Sequence, residues 1–282
     1  MEIGFIGLGK MGGGLARNLI LAGNHVQLYD INEEAVTAIL KNGGTKADSL
    51  DDLAYSVDVL FTSLPLPIHL TKMLVEEGLL EKMKKDSIVI DVSTINPQTA
   101  TEIKNEANRF GVHFLACPLG KGPKQAYDGT LPIFSGGDKL VYQRIENILN
   151  QIGEPFYLGD VEQSTAFKLI SNMIGMTNLL AMSEGLKLGF EAGIDPGQLK
   201  ELLHDTGADS AQLNLRGPLV LGDDYEPMFS VNLALKDVGL GLEMAKSYNN
   251  KTELSQITTK YLEEASKQGY GDRDCAAVFK VY

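Results

Sequence analysis

The sequence contains no tryptophan, two cysteines and four histidines. Cys117 and Cys275 are separated by more than half the chain. No disulfide framework is expected from them, and a reducing, cytoplasmic setting is the default for such a protein. Cys117 precedes Pro118, and no histidine follows it in a nucleophile–base pairing. It therefore reads as a small buried apolar residue and not as a reactive thiol. His25, His69, His113 and His204 lack the spacing of metal ligands, so no metal is expected. No apolar run approaches the ~18 residues of a membrane span. Met1 is followed almost at once by an apolar segment, with no charged-then-apolar leader. Basic residues are in deficit: 25 Lys and Arg against 37 Asp and Glu give a formal net charge of −12. That balance argues against nucleic acid or an anionic membrane as a partner, yet permits a local cationic pocket for a small anion.

What is present begins in the first thirty residues. Glu2–Ile6 is a short apolar run suited to a buried strand. It leads into Gly7-Leu8-Gly9-Lys10-Met11-Gly12, then a segment with Leu15, Leu19 and Ala22 at helical spacing, closed by Gly23. A second apolar run, Val26–Tyr29, ends on Asp30. Strand, glycine turn, helix, strand and acid follow one another in the order of a dinucleotide site. Gly7 allows the tight turn, Gly9 lets the backbone approach a pyrophosphate, and Gly12 lets the helix pack on the strand. Backbone N–H groups at the helix start, including those of Lys10 and Met11, then face the phosphates. Asp30 lies 18 residues past Gly12, close to the offset of about 20 for an acid that binds ribose.

Strand and helix signals alternate as far as Gly159. Strands are expected near 57–62, 87–92, 112–116, 131–135 and 154–158. Helices are expected near 33–41, 49–55, 68–80, 96–109 and 138–151, with Asn96-Pro97 and Asp138 as N-terminal signals. Beyond Gly159 no convincing strand remains. A long apolar helix is expected over about 160–192, then helices from Asp195-Pro196, over about 233–247, 253–267 and 275–280. The expected architecture is an α/β Rossmann domain with a mostly parallel sheet over 1–159. An all-α domain over 160–282 follows, entered through the long helix.

Ligands of such sheets bind at the C-terminal strand ends. Four loops meet that condition: Gly7–Gly12, Leu64-Pro65, Ser93-Thr94 and Cys117–Gly122. Small residues in the last would let a substrate approach backbone N–H groups, with Lys121 as a nearby cation. From spacing alone Lys121 reads as a solvated loop lysine. Lys168 and Asn172, four apart, share one face of the long helix. Apolar neighbours there would desolvate the lysine and favour its neutral form, although a surface lysine on an amphipathic helix has the same spacing.

The run Gly-Phe-Ile-Gly-Leu-Gly-x-Met-Gly, from Gly4 to Gly12, resembles the opening of the β-hydroxyacid dehydrogenases, the 3-hydroxyisobutyrate dehydrogenase-like family. The resemblance continues through Asp91-Val92-Ser93-Thr94, Cys117–Leu131, Gly159–Asn172, and Phe229 with Leu235-Lys236-Asp237. It implies reversible NAD-dependent oxidation of a small 3-hydroxy acid. Lys168 would be the general acid/base, and Asn172 would hold the substrate beside it. Ser93, Gly120, Lys121 and Gly122 would contact an anionic substrate. Gly7, Gly9, Lys10, Met11, Gly12, Asp30, Leu64, Pro65, Thr94, Phe229 and Lys236 would contact the cofactor. Asp30, with no cation at Ile31 or Asn32, favours NAD over NADP. A homodimer or homotetramer is also implied.

Three positions depart from the family pattern. Ala116 stands where the family has an aspartate, Gly120-Lys121 where it has Ser-Gly, and Glu162 and Ser164 where it has glycines. A Gly followed by a basic residue resembles the sulfolactaldehyde reductase branch, whose anion is a sulfonate. The alternatives are a 6-phosphogluconate dehydrogenase-like decarboxylase, for which the chain looks short, and an imine reductase, which typically lacks the lysine. A non-catalytic NAD-binding module is a further alternative.

Overall fold

A computed structural model describes all residues, 1–282. The chain divides into two compact units, Met1–Lys168 and Leu169–Tyr282. The division falls inside one helix, whereas the change from alternating β and α to all-α falls at its start, near Gly159.

In the first unit the elements run β1 (Ile3–Ile6), α1 (Gly12–Leu21), β2 (Val26–Tyr29), α2 (Glu33–Leu40), β3 (Thr45–Lys46), α3 (Leu50–Ser56) and β4 (Val59–Thr62). Next come α4 (Pro67–Thr71), a π-helical turn at Lys72–Glu76, α5 (Leu79–Lys82), β5 (Ile88–Asp91), α6 (Pro97–Arg109) and β6 (His113–Ala116). The unit ends with α7 (Pro123–Asp128), β7 (Leu131–Ser135), α8 (Lys139–Leu149), β8 (Gly153–Tyr157) and the first part of α9 (Val161–Glu191). Six strands make one wholly parallel sheet in the order β3-β2-β1-β4-β5-β6. That is the doubly wound dinucleotide-binding order. β1, β4 and β5 are buried at every residue, because helices cover both faces of a parallel sheet. One face packs Ile3, Phe5, Leu15, Leu19, Leu28 and Phe61. The other packs Ile6, Leu53, Leu60, Leu74, Val89 and Ile103. Phe5 and Phe61, opposite each other across β1 and β4, stack with centroids 5.5 Å apart. β7 and β8 form a separate parallel pair, joined to the end of β6 and the segment after it by antiparallel bridges Ala116–Gly136 and Leu119–Ile133.

The helix starts read from sequence are real caps. Asn96 accepts from Thr99 N, Asp138 from Leu140 and Val141 N, and Asp195 from Gln198 N. Three elements were not expected. β3 is two exposed residues with no apolar signal. α7 is six residues with one buried. α11 carries an internal proline, Pro218, which reads as a helix breaker.

The second unit holds the rest of α9, α10 (Pro196–His204), α11 (Ala211–Leu221), α12 (Val231–Ser247) and α13 (Glu253–Ala265). A π-helical turn at Ser266–Tyr270 and a 3-10 helix at Cys275–Val281 complete it. Its core includes Leu179, Leu186, Val231, Val238, Leu262 and Ala276. No helix is long and apolar enough to cross a membrane. No group of three or more His, Cys, Asp or Glu is arranged to hold a metal ion.

A buried ion pair anchors this unit. Arg216 Nε donates to Asp274 Oδ1 at 2.8 Å, with side chains 5% and 0% exposed. Asp274 also accepts from Ala276 N, Met228 N and Phe229 N. Breaking such a pair strands a buried charge, so Arg216→Ala should cost about 3–5 kcal/mol, read as a lower urea midpoint. A loss below about 1 kcal/mol, the worth of one neutral hydrogen bond, would mean that the backbone donors alone suffice for Asp274.

Candidate active site

The glycine turn is built by close approach. A Cβ on Gly7, whose φ is +90°, would lie 2.2 Å from Ser63 O. One on Gly12 would lie 2.0 Å from Gly7 O. Both positions therefore exclude any side chain. Gly9 differs: no atom lies within 4 Å of where its Cβ would be, which leaves the backbone open to a bulky anion. Lys10 is exposed and Met11 half-buried at the entry to α1. Asp30 is oriented by this same turn. Its Oδ2 accepts from Leu8 N at 2.6 Å and its Oδ1 from Asn32 N at 2.8 Å. Each oxygen keeps a second lone pair for a ribose hydroxyl. The cradle thus fits a dinucleotide.

At the ends of β4 and β5 a hydrogen-bonded network converges on the buried carboxylate of Asp91. Thr62 Oγ1 donates to Asp91 Oδ1 at 2.8 Å and Ser93 Oγ at 2.6 Å. Leu64 N in turn donates to Ser93 Oγ at 2.8 Å. Ser93, 5% exposed, thereby acts as a strut between two loops, a use that its sequence assignment to substrate did not include. Its hydroxyl proton goes to Asp91, so toward a ligand it can only accept. Thr94 is half-buried beside it and Pro65 is exposed.

The Cys117–Gly122 loop is zipped to β7. Gly120 N donates to Pro132 O at 2.8 Å and Phe134 N to Pro118 O at 2.9 Å. Gly122 N donates to Gln125 Oε1 at 3.3 Å. The expectation that the Gly120 and Gly122 N–H groups face a substrate is therefore corrected: both already have partners, one in β7 and one in α7. Glycine at 120 serves another need, since a Cβ there would approach Pro132 Cγ to 2.6 Å. Lys121 is exposed with φ +60°, and its Nζ donates to Thr130 O at 3.3 Å. Unlike Lys104 and Lys124, which pair with Asp160 and Asp128, Lys121 has a neutral carbonyl as partner. α7 holds the loop against α1 through Asn18 Nδ2 to Ala126 O at 2.9 Å and the Arg17 guanidinium 4.0 Å from the Tyr127 ring centroid. Cys117 is fully buried, which pushes its thiol up to about 12. Its burial agrees with the small buried apolar residue that its sequence context suggested.

α9 starts beneath this loop. Ser164, in place of a family glycine, is buried and donates to Ala116 O and Val161 O at 3.1 Å each. Glu162, in place of another, accepts from Thr101 Oγ1. Neither interrupts the helix. One turn further Lys168 Nζ donates to Leu119 O at 2.7 Å, which sets the half-buried ammonium beside Gly120.

Asn172, one turn beyond Lys168, belongs to the second unit. Its Nδ2 donates to Asp237 Oδ2 at 2.5 Å. Asp237 is 2% exposed. Its Oδ1 accepts no directed hydrogen bond but lies 2.6 Å from Lys236 Nζ, an ion pair with the adjacent residue. This carboxylate fixes the Asn172 amide, nitrogen toward Asp237 and oxygen outward as an acceptor. Phe229 is held by its backbone, its N–H donating to Asp274 and its carbonyl accepting from Cys275 N. Sequence reading quoted Asp91 and Asp237 within motifs without assigning either a role. Nothing in their spacing signals that they are buried.

A parallel sheet in this order with an open glycine cradle defines a Rossmann-type dinucleotide-binding protein. Residues 2–166 match the family described as the NAD binding domain of 6-phosphogluconate dehydrogenase. Residues 163–282 match the NAD-binding domain of NADP-dependent 3-hydroxyisobutyrate dehydrogenase. The 2-(hydroxymethyl)glutarate dehydrogenase of Eubacterium barkeri is 30% identical over 100% of this chain and 95% of its own. The 3-hydroxyisobutyrate dehydrogenase of Pseudomonas aeruginosa is 31% identical over 91% of this chain and 89% of its own. A crystal structure of 3-hydroxyisobutyrate dehydrogenase from Salmonella typhimurium superposes with a TM-score of 0.90, at 26% identity, covering 100% of both chains. The chain belongs to the β-hydroxyacid dehydrogenase family, and is an oxidoreductase with a nicotinamide-dinucleotide domain.

The Asn172–Asp237 contact is testable without a substrate. A charge-assisted hydrogen bond contributes about 1.5–3 kcal/mol. Urea unfolding of Asn172→Ala, Asp237→Ala and the double variant should give a coupling energy in that range. Additive losses would mean that the two side chains act independently.

Proposed function

We propose that the protein catalyses NAD-dependent, reversible hydride transfer between a small 3-hydroxy acid, or its sulfonate analogue, and the corresponding semialdehyde. The observation that carries this reading is the Lys168 ammonium, held at 2.7 Å by Leu119 O beside the glycine-rich loop after β6. Two curated relatives, named for 2-(hydroxymethyl)glutarate and 3-hydroxyisobutyrate, support a hydroxy-acid substrate.

The nicotinamide, when bound, supplies or accepts the hydride. In reduction Lys168 donates a proton to the carbonyl oxygen as negative charge develops there. In oxidation its neutral form takes the hydroxyl proton. Leu119 O accepts one N–H of the ammonium and so orients the group. Asn172 presents its amide oxygen to the substrate hydroxyl, because Asp237 holds its nitrogen. Gly7, Gly9 and Gly12, with Lys10 and Met11, admit the pyrophosphate at the start of α1. Asp30 accepts from both adenosine ribose hydroxyls and repels a 2′-phosphate, which favours NAD. Leu64, Pro65 and Thr94 border the nicotinamide end, and Ser93 braces them. Phe229 and Lys236 take the family's cofactor-contacting roles. Lys121, whose charge no carboxylate offsets, pairs with the anionic end of the substrate.

A screen with NADH against short aldehydes bearing carboxylate, sulfonate or phosphonate tests the reaction and its anion. On the best of these, Lys168→Ala should lower turnover by ~10²–10⁴-fold while cofactor binding persists. Lys168→Arg should restore little, because guanidinium keeps its proton at neutral pH. Retention of a large share of activity by Lys168→Ala would remove the lysine from the mechanism.

Lys121→Ala is a clean probe of the anion contact, since alanine meets the same positive-φ strain as lysine. Loss of a charge-assisted bond worth ~1.5–3 kcal/mol should cut kcat/KM about tenfold or more. Most of the change should fall on KM, because the anion is held alike in ground and transition states. An unchanged KM at low and high ionic strength would mean that Lys121 points only into water.

A further inference from the structure

The adenosine end of the cradle contains a charge arrangement that sequence order conceals. A cleft of about 340 Å³ opens beside Asp30, walled by β2, the start of α2 and the edge strand β3. Asp30, Glu33 and Asp48 line it, and Lys46 is its one basic residue. Lys46 stands on β3 opposite Leu28 of β2, which brings an ammonium to a cleft whose acid lies sixteen positions earlier. A cation beside a ribose-binding position is what a 2′-phosphate needs. Lys46 is engaged, however: its Nζ donates to both carboxylate oxygens of Glu33, at 2.8 and 2.7 Å. Three carboxylates against one ammonium leave the lining at a net −2.

We propose that Glu33 is a specificity-determining residue of the cofactor site, which excludes NADP by neutralising Lys46. The inference rests on the NAD preference proposed above. Asp30 alone would leave a lysine able to swing toward a 2′-phosphate carrying about −1.5 to −2 charge. The Glu33 clamp withdraws that lysine. The pair is half-exposed, 48% and 68%, so it is mobile enough to open once the glutamate is removed. The competing account is a surface ion pair that merely ties β3 to α2. In that case its loss would lower stability and affect both cofactors alike.

The test is calorimetric titration of the full chain with NADH and NADPH, which needs no turnover. The quantity read is the ratio of the two dissociation constants, for wild type, Glu33→Gln, Lys46→Met and the double variant. Glu33→Gln should lower Kd(NADPH)/Kd(NADH) by about two- to fivefold, a fold-change of the size expected for one partly exposed charge pair. The gain should shrink at high salt. Adding Lys46→Met should abolish it. Should Glu33→Gln leave the ratio unchanged while wild type still prefers NADH, the gate is overturned and the NAD preference stands on Asp30. A gain that survives Lys46→Met would also overturn it, since the lysine would not be the group released. Equal affinities in wild type would remove the preference itself, and this proposal with it.

Discussion

The Asp91 carboxylate is the tie point of the first unit's active edge. Fully buried at the end of β5, it gathers protein donors on Oδ1, because burying a charge without hydrogen bonds is strongly unfavourable. Thr62 from β4 and Ser93 from its own loop supply hydroxyl protons. Its backbone carbonyl takes the N–H of Cys117 from the next loop at 2.7 Å. Three successive βα connections are thereby referred to one residue. From Cys117 the constraint passes along two peptides to Leu119, whose carbonyl positions Lys168. The Lys168 ammonium is thus held by the sheet edge as well as by its own helix.

The second unit repeats the device with two further buried aspartates. Asp274 gathers a guanidinium and three backbone N–H groups, and so fixes the turn that carries Phe229. Asp237 gathers the Asn172 amide and the Lys236 ammonium. In each case a carboxylate orients neighbours that have chemistry of their own. Low local dielectric makes such contacts directional and makes alternatives costly. Preorganisation of this kind lets short polar side chains keep one geometry in loops that would otherwise sample several.

Much of the fold was legible because its signals are local. The glycine turn, the N-caps at Asn96, Asp138 and Asp195, and the apolar strands each lie within a few consecutive residues. The elements that were not legible lack such signals. β3 exists because β2 offers Leu28 as a pairing partner, not because Thr45 and Lys46 prefer to be extended. α11 tolerates Pro218 because tertiary packing overrides local preference. Of the candidate site, the turn of Gly7, Gly9 and Gly12 with Asp30 beside it was legible from spacing, since the backbone path brings them together. Lys168 and Asn172 needed the family resemblance. A lysine and an asparagine four apart on a helix are common, and only their partners distinguish them.

What the sequence by itself determined is the backbone logic: an alternating α/β half, a helical half, and a turn where only glycine fits. Each follows from steric rules that act between near neighbours. What only tertiary structure decided is which polar atoms are already taken. Gly120 N–H is bonded to Pro132, Ser93 hydroxyl to Asp91, and Lys46 to Glu33. Those partners are 12, 2 and 13 residues away, at no spacing that a periodic pattern encodes. Whether a group is available to a ligand depends on the competition for its lone pairs and protons. That competition is settled only when the strands and loops have been brought side by side.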